Sequence, residues 1–241
     1  LDAILVKNND IIELKYKNIN EFSTIGDDNM KNSKMALISW IFIFLLVVTE
    51  IVAAVMMALN QSYFGVVVHI LIGAAFLIIG LRATSRVHFQ NDISKNFFSK
   101  NYVYTLLTTN LIMLLVISIH DVDHMRQAMS WGYHFTVLLL LVNIIVYLPN
   151  LISMYLVGKD KFSGIIWSAV SGPLIAIGFL KLHLLGAWIP VWGPWNRSFF
   201  ALGVDKLSWW ILAITAFVGV ATSMIAIYCL GRVQDREKYV K

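Results

Sequence analysis

Apolar residues run through the chain in six long blocks, at about 35–59, 63–81, 102–119, 133–157, 165–182 and 207–230, separated by short polar connections. Each block approaches the roughly 20 residues that a helix rising 1.5 Å per residue needs to cross a hydrocarbon core. Lipid offers backbone amides no water, so blocks of this kind must close their hydrogen bonds internally. No alternating strand pattern competes. The pattern predicts an all-α integral membrane protein with six transmembrane helices in a domain spanning 35–231.

The connections set the orientation. Twelve Lys and Arg, among them Lys34, Arg82, Arg86, Lys159 and Arg232, fall on the side shared by the two ends of the domain. The other side holds only Arg126, Lys181, Arg197 and Lys206. Short cytoplasmic loops collect cations, so both termini are expected in the cytoplasm of a prokaryotic cell, the domain lying in its cytoplasmic membrane. Residues 1–34 read as a partly ordered cytoplasmic segment and 232–241 as a basic tail. The first span is longer than the apolar core of about 7–15 residues in a cleavable signal, and is expected to be retained. Trp131, Trp188, Trp192, Trp195, Trp209 and Trp210 all fall at the outer boundary, where amphipathic rings prefer to sit. The 184–206 connection is rich in Trp and Pro and too apolar for a free loop, so it is expected to be ordered, as a lid or as an interfacial or subunit contact.

Composition narrows the function classes. Hydrophobic residues make up 59% of the 241 and charged ones 14%, where a soluble domain carries about a quarter charged; a cytosolic enzyme and a disordered tail are excluded. The net charge of +5 follows from the topogenic cations and calls for no nucleic acid. The single Cys229 rules out an internal disulfide or a Cys-pair metal site. The halves of the chain share no repeat or matched pair of broken helices, which weakens a transporter reading.

The chemistry gathers on the outer side. Glu50 and His69 stand at similar distances from the turn near Asn60, so an antiparallel hairpin makes them neighbours within the membrane. An intramembrane Glu is costly unless protonated or paired. The pair reads as a buried contact that positions helices or relays protons. Asn110 and Asn143 read as interhelical hydrogen-bond glue.

The densest cluster is His120-Asp121-Val122-Asp123-His124-Met125-Arg126-Gln127. If the third helix continues through it, His120 and His124 share a face at i and i+4, with Asp123 beside His120. Two imidazoles one turn apart can share a metal, and a carboxylate can join them or orient a ring. His134 follows a short connection and His183 lies at the outer end of the fifth span. The candidate ligands are therefore His120, Asp123, His124, His134 and His183. Their nitrogen and oxygen donors suit copper(II), zinc or iron. The alternative is a hydrated cap in which Asp123 pairs with Arg126.

In its residue types this cluster resembles the Asp/His/His set of a membrane subunit of the copper membrane monooxygenases of the methane and ammonia type. The family's wider spacing is not met: four positions after Asp121 stands Met125, and nine residues separate His124 from His134. The resemblance implies copper and a multi-subunit assembly. A haem would need axial His at matching depths, for which His69 and His134 are the intramembrane candidates. The expected function is a polytopic membrane subunit with an outward-facing His/Asp transition-metal site inside a larger redox complex. As alternatives, it is a non-catalytic structural subunit, a single-haem cytochrome or a proton-coupled transporter. If it is an enzyme, an oxidoreductase is expected.

Overall fold

The computed structural model describes residues 33–89, 99–187 and 190–240. The expectations placed on residues 1–32 and on Trp188 lie outside these. The described residues form helices and no strand. Six helices are long and apolar enough to cross a membrane: α1 Ser33–Leu59, α2 Tyr63–Phe89, α3 Lys100–Trp131, α4 Val137–Gly158, α5 Phe162–Leu185 and α7 Lys206–Val240. A 3-10 segment, Pro190–Asn196, and the single turn α6, Phe199–Leu202, fill the connection before α7.

Side-chain size sets how closely these helices approach. Apolar burial between helices gains little when lipid is as apolar as Leu, so contact depends on small residues and polar glue. Gly172 of α5 and Gly219 of α7 are the clearest case: a Cβ on either would run into the backbone carbonyl oxygen of the other. Pro173, next to Gly172, cannot donate to the carbonyl one turn earlier. That carbonyl, Ala169 O, instead accepts from Ser223 Oγ of α7 at 2.8 Å. The helix pair is thus locked in register, which matters because α5 and α7 each bring a residue to the site.

Polar side chains bind α3, α4 and α5 together. Asn110 Nδ2 of α3 donates to Ser168 Oγ of α5 at 2.8 Å, and Ser168 also bonds Ser153 of α4. Ser171 Oγ donates to Asn150 Oδ1 at 3.1 Å. On the far side Gly73 of α2 faces Glu50 of α1, where an added Cβ would sit 3.1 Å from Glu50 Cβ. At one end of the bundle the α1–α2 turn is latched to the α3–α4 connection. Asn60 Nδ2 donates to Tyr133 O at 3.0 Å and His134 Nδ1 donates to Asn60 O at 2.9 Å.

Candidate metal centre

No Gly or Pro interrupts the chain from Lys100 until Gly132, so nothing stops α3 at the end of its apolar block. Its 32 residues reach about 48 Å, well past a hydrocarbon core of about 30 Å. Gly132 ends it in the left-handed conformation (φ 64°), its N–H returning to the carbonyls of Ala128 and Met129. The polar cluster is therefore one continuous helical surface, and its residues point in different directions around the axis.

One face carries His120 and His124, and α5 brings His183 to meet them. His120 Nε2 and His183 Nε2 are 3.1 Å apart, and His183 Nε2 and His124 Nε2 are 3.2 Å apart. All three ligand atoms lie within 4.8 Å of one another. His120 and His183 are buried, at 1% and 4% exposure.

The opposite nitrogen of each ring fixes its tautomer. His183 Nδ1 is 2.6 Å from Phe179 O, a carbonyl that can only accept, so this Nδ1 carries the proton. His120 Nδ1 lies 3.1 Å from Thr215 Oγ1 of α7. The Thr215 hydroxyl spends its own proton on Ile211 O at 2.7 Å and so accepts from the ring. His124 Nδ1 makes a longer contact, 3.4 Å, to Gln127 Oε1. The amide of Gln127 is oriented from outside: its oxygen accepts from the indole Nε1 of Trp195 at 2.7 Å, and its nitrogen donates to Asp123 Oδ2 and Ser208 Oγ. When His120 and His124 carry their protons on Nδ1, as His183 does, three bare Nε2 lone pairs converge. Neutral imidazole has one donor and one acceptor nitrogen, so in that tautomer no imidazole proton sits between them. A cation satisfies such a set.

Aromatic rings enclose the triad. Phe179 lies against His120 (centroids 4.4 Å apart), Phe199 against His183 (4.3 Å) and Trp195 against His124 (4.8 Å). Trp195 belongs to the 3-10 segment, whose Gly193 takes a positive φ of 56°; a Cβ there would strike the Tyr133 ring. The Trp-rich connection thus folds over the triad and supplies a hydrogen bond to its support. A cavity of about 40 Å³ adjoins the three His, closed further by Asp121, Asn143, Tyr147 and Trp192.

The other expected residues take different places. Asp123 does not join the triad: it accepts from Gln127 and from Arg126 Nε and Nη2 at 2.9 and 2.7 Å. Arg126 also grips Asp205, ahead of α7, through Nη1 at 2.7 Å and Nη2 at 3.0 Å. This hydrogen-bonded guanidinium draws the Asp205 carboxyl down to about 2, helped by the Ser208 backbone N–H. His134 is exposed and serves the latch at Asn60. His69 Nδ1 donates to Glu50 Oε2 at 2.8 Å, while Ser118 Oγ donates to Glu50 Oε1 at 2.7 Å. His69 and His134, the haem candidates, are thus tied to different partners.

Asp121 turns away from the triad toward α4, accepting from Asn143 Nδ2 at 3.0 Å and Tyr147 OH at 3.1 Å. His69 Nε2 stops 3.9 Å short of Asp121 Oδ2 and has no other partner among the described residues. Sequence reasoning missed the supports of the triad, Thr215, Gln127 and the Phe179 carbonyl. A Thr or a Gln in a helix carries no local signal of that role.

The chain matches no family model, no curated protein and no solved structure.

Proposed function

We propose that this protein is a polytopic membrane subunit that binds one transition-metal ion on His120, His124 and His183, on the extracytoplasmic side of a prokaryotic cytoplasmic membrane, within a larger redox assembly. The convergence of three imidazole Nε2 atoms carries the reading. Metal–nitrogen bonds of about 2.0–2.1 Å at near-tetrahedral angles put ligand nitrogens about 3.3 Å apart, close to the 3.1 and 3.2 Å of two of the three pairs. Each ring is held from its far nitrogen by an acceptor, the arrangement that orients metal-bound imidazole and raises its basicity.

An all-imidazole set suits copper(II), zinc or iron. Three protein ligands leave a coordination position open, as in sites that work on a bound molecule rather than hold structure. The adjoining cavity of about 40 Å³ has room for water or a molecule of a few atoms. This size favours small-molecule redox chemistry over hydrolysis of a large substrate. Glu50 and His69 hold the α1–α2 hairpin against α3 and reach toward Asp121 in the cavity wall.

Elemental analysis and a visible spectrum of detergent-purified protein, kept with its copurifying subunits, test the proposal. The expected result is about one copper, zinc or iron per chain, lost in His120→Ala and His183→Ala and kept in His134→Ala. Protein without metal, or metal that survives both triad substitutions, overturns it in favour of a structural subunit. A Soret band lost in His69→Ala would move the reading to a cytochrome.

A further inference from the structure

At the end of the molecule opposite the triad, α2 and α4 finish side by side. Ala83 and Gly158 bring the two helices into contact, so that a Cβ on Gly158 would lie 2.7 Å from Ala83 Cβ. Around this contact Ile79, Arg82, Arg86, Tyr155 and Lys159 line a cavity of about 410 Å³. Arg82 and Arg86 stand one turn apart on the same face of α2. Lys159 reaches in from α4, its Nζ hydrogen-bonded to the Tyr155 hydroxyl and 4.4 Å from the ring centroid.

Three cations therefore share one cavity whose lining, among the described residues, holds no carboxylate. Among the described residues no ion pair engages Arg82, Arg86 or Lys159. Three positive charges around one hollow attract an anion into it. A loop that merely signals topology needs cations somewhere along it; it does not need them gathered from two helices around one hollow. The hollow also sits where the apolar spans end, with Ile79 on its membrane side. There the abundant anion is a lipid phosphate, and basic pockets between helix ends are suited to hold it.

We propose that Arg82, Arg86, Tyr155 and Lys159 form a specific site for the phosphate headgroup of an anionic phospholipid, the guanidinium groups taking the phosphate oxygens in pairs and Ile79 meeting the start of the acyl chains. Arginine suits this task because its planar fork matches phosphate geometry.

The test measures lipid retention on the purified full chain, with phosphatidylglycerol and phosphatidylcholine as probes, by native mass spectrometry. Phosphatidylglycerol is expected to be held at least tenfold more tightly than phosphatidylcholine. The triple variant Arg82→Gln/Arg86→Gln/Lys159→Gln is expected to lose this preference: roughly fivefold per cation near a membrane surface makes about a hundredfold for three. Lys34→Gln/Lys100→Gln removes charge elsewhere on the same face and is expected to change retention by less than about twofold. Helix content by circular dichroism, measured in parallel, reports that each variant is folded. Equal retention of the two lipids, or equal loss in the triple and control variants, overturns the site. Displacement of the lipid by millimolar inorganic phosphate also overturns it, since the pocket would then take a free anion.

Discussion

Two buried polar clusters lie side by side in the half of the molecule that holds the α1–α2 turn, and they are balanced in opposite ways. Glu50, His69, Ser118, Asp121, Asn143 and Tyr147 form a network in which carboxylates of α1 and α3 meet donors from three helices, α2, α3 and α4. His120, His124 and His183 form a set in which acceptors meet acceptors. The first supplies a donor to each of its carboxylates, leaving His69 Nε2 as its unpartnered nitrogen among the described residues. The second contains no carboxylate, and its three Nδ1 atoms are engaged elsewhere. Burial alone therefore does not mark a ligand site; an excess of lone pairs does. The two clusters should respond differently to substitution, the network through the stability of the fold and the triad through its affinity for metal.

The largest effect is expected at Glu50. Removing one partner of a buried pair leaves the other uncompensated, at about 3–5 kcal/mol. Glu50→Ala strands the His69 Nδ1 proton and the Ser118 hydroxyl together. Thermal unfolding in detergent should show a large drop in midpoint, while Glu50→Gln, which can still accept and has the same shape, should lose much less. Comparable losses in the two variants would mean that the network acts through packing and not through charge.

Next comes the triad. His183→Ala should weaken metal binding by more than the 10–100-fold typical of losing a ring's outer support, and His120→Ala likewise. Metal should stabilise the wild type by about 2.7 kcal/mol at a hundredfold excess over its dissociation constant. That gain should vanish in both variants, although their metal-free forms unfold near the wild-type midpoint. A metal-free His183→Ala protein as unstable as Glu50→Ala would erase the contrast between the clusters.

Thr215 sharpens the same contrast. Thr215→Val keeps the shape of the side chain and removes the oxygen that fixes the His120 tautomer. The His120 proton is then free to move to Nε2, where it competes with metal. Metal affinity should fall about 10–100-fold with little change in helix content. Unchanged affinity would show that Phe179 and the enclosing rings orient the triad without help from α7.

The six long helices were legible in the sequence because apolar length is a local property that needs no partner to be recognised. The i and i+4 relation of His120 and His124 was legible for the same reason, once α3 was allowed to continue. His183 could be placed at the right depth as a candidate, but its approach depends on α5 packing against α7 through Gly172 and Gly219. Asp123 and His134 show the limit of this reasoning. Sequence proximity offered both as ligands, yet the rotation of α3 turns Asp123 toward Arg126, and the latch at Asn60 holds His134 outside. Likewise Asp121 and Asp123, two residues apart, serve different helices: Asn143 and Tyr147 of α4 for the first, the ion pair ahead of α7 for the second.

The smallest expected effect is at that ion pair, and it separates the triad from the charges around it. Asp205 is drawn to about 2 by Arg126, below the ordinary value of about 3.9 for an aspartate. A carboxyl depressed in the folded protein adds stability that is complete above its unfolded pKa and fades as pH falls toward the folded one. The Arg126–Asp205 contribution should therefore hold at neutral pH and disappear between about pH 4 and pH 2. The pair is exposed, and exposed pairs are worth little; in Asp205→Asn, moreover, Arg126 keeps its buried partner Asp123. The variant should thus flatten the acid limb of the stability curve slightly and leave metal content unchanged. Loss of metal in Asp205→Asn would instead show that strain at Arg126 passes through Asp123 and Gln127 to the His124 ring, making the ion pair part of the metal centre.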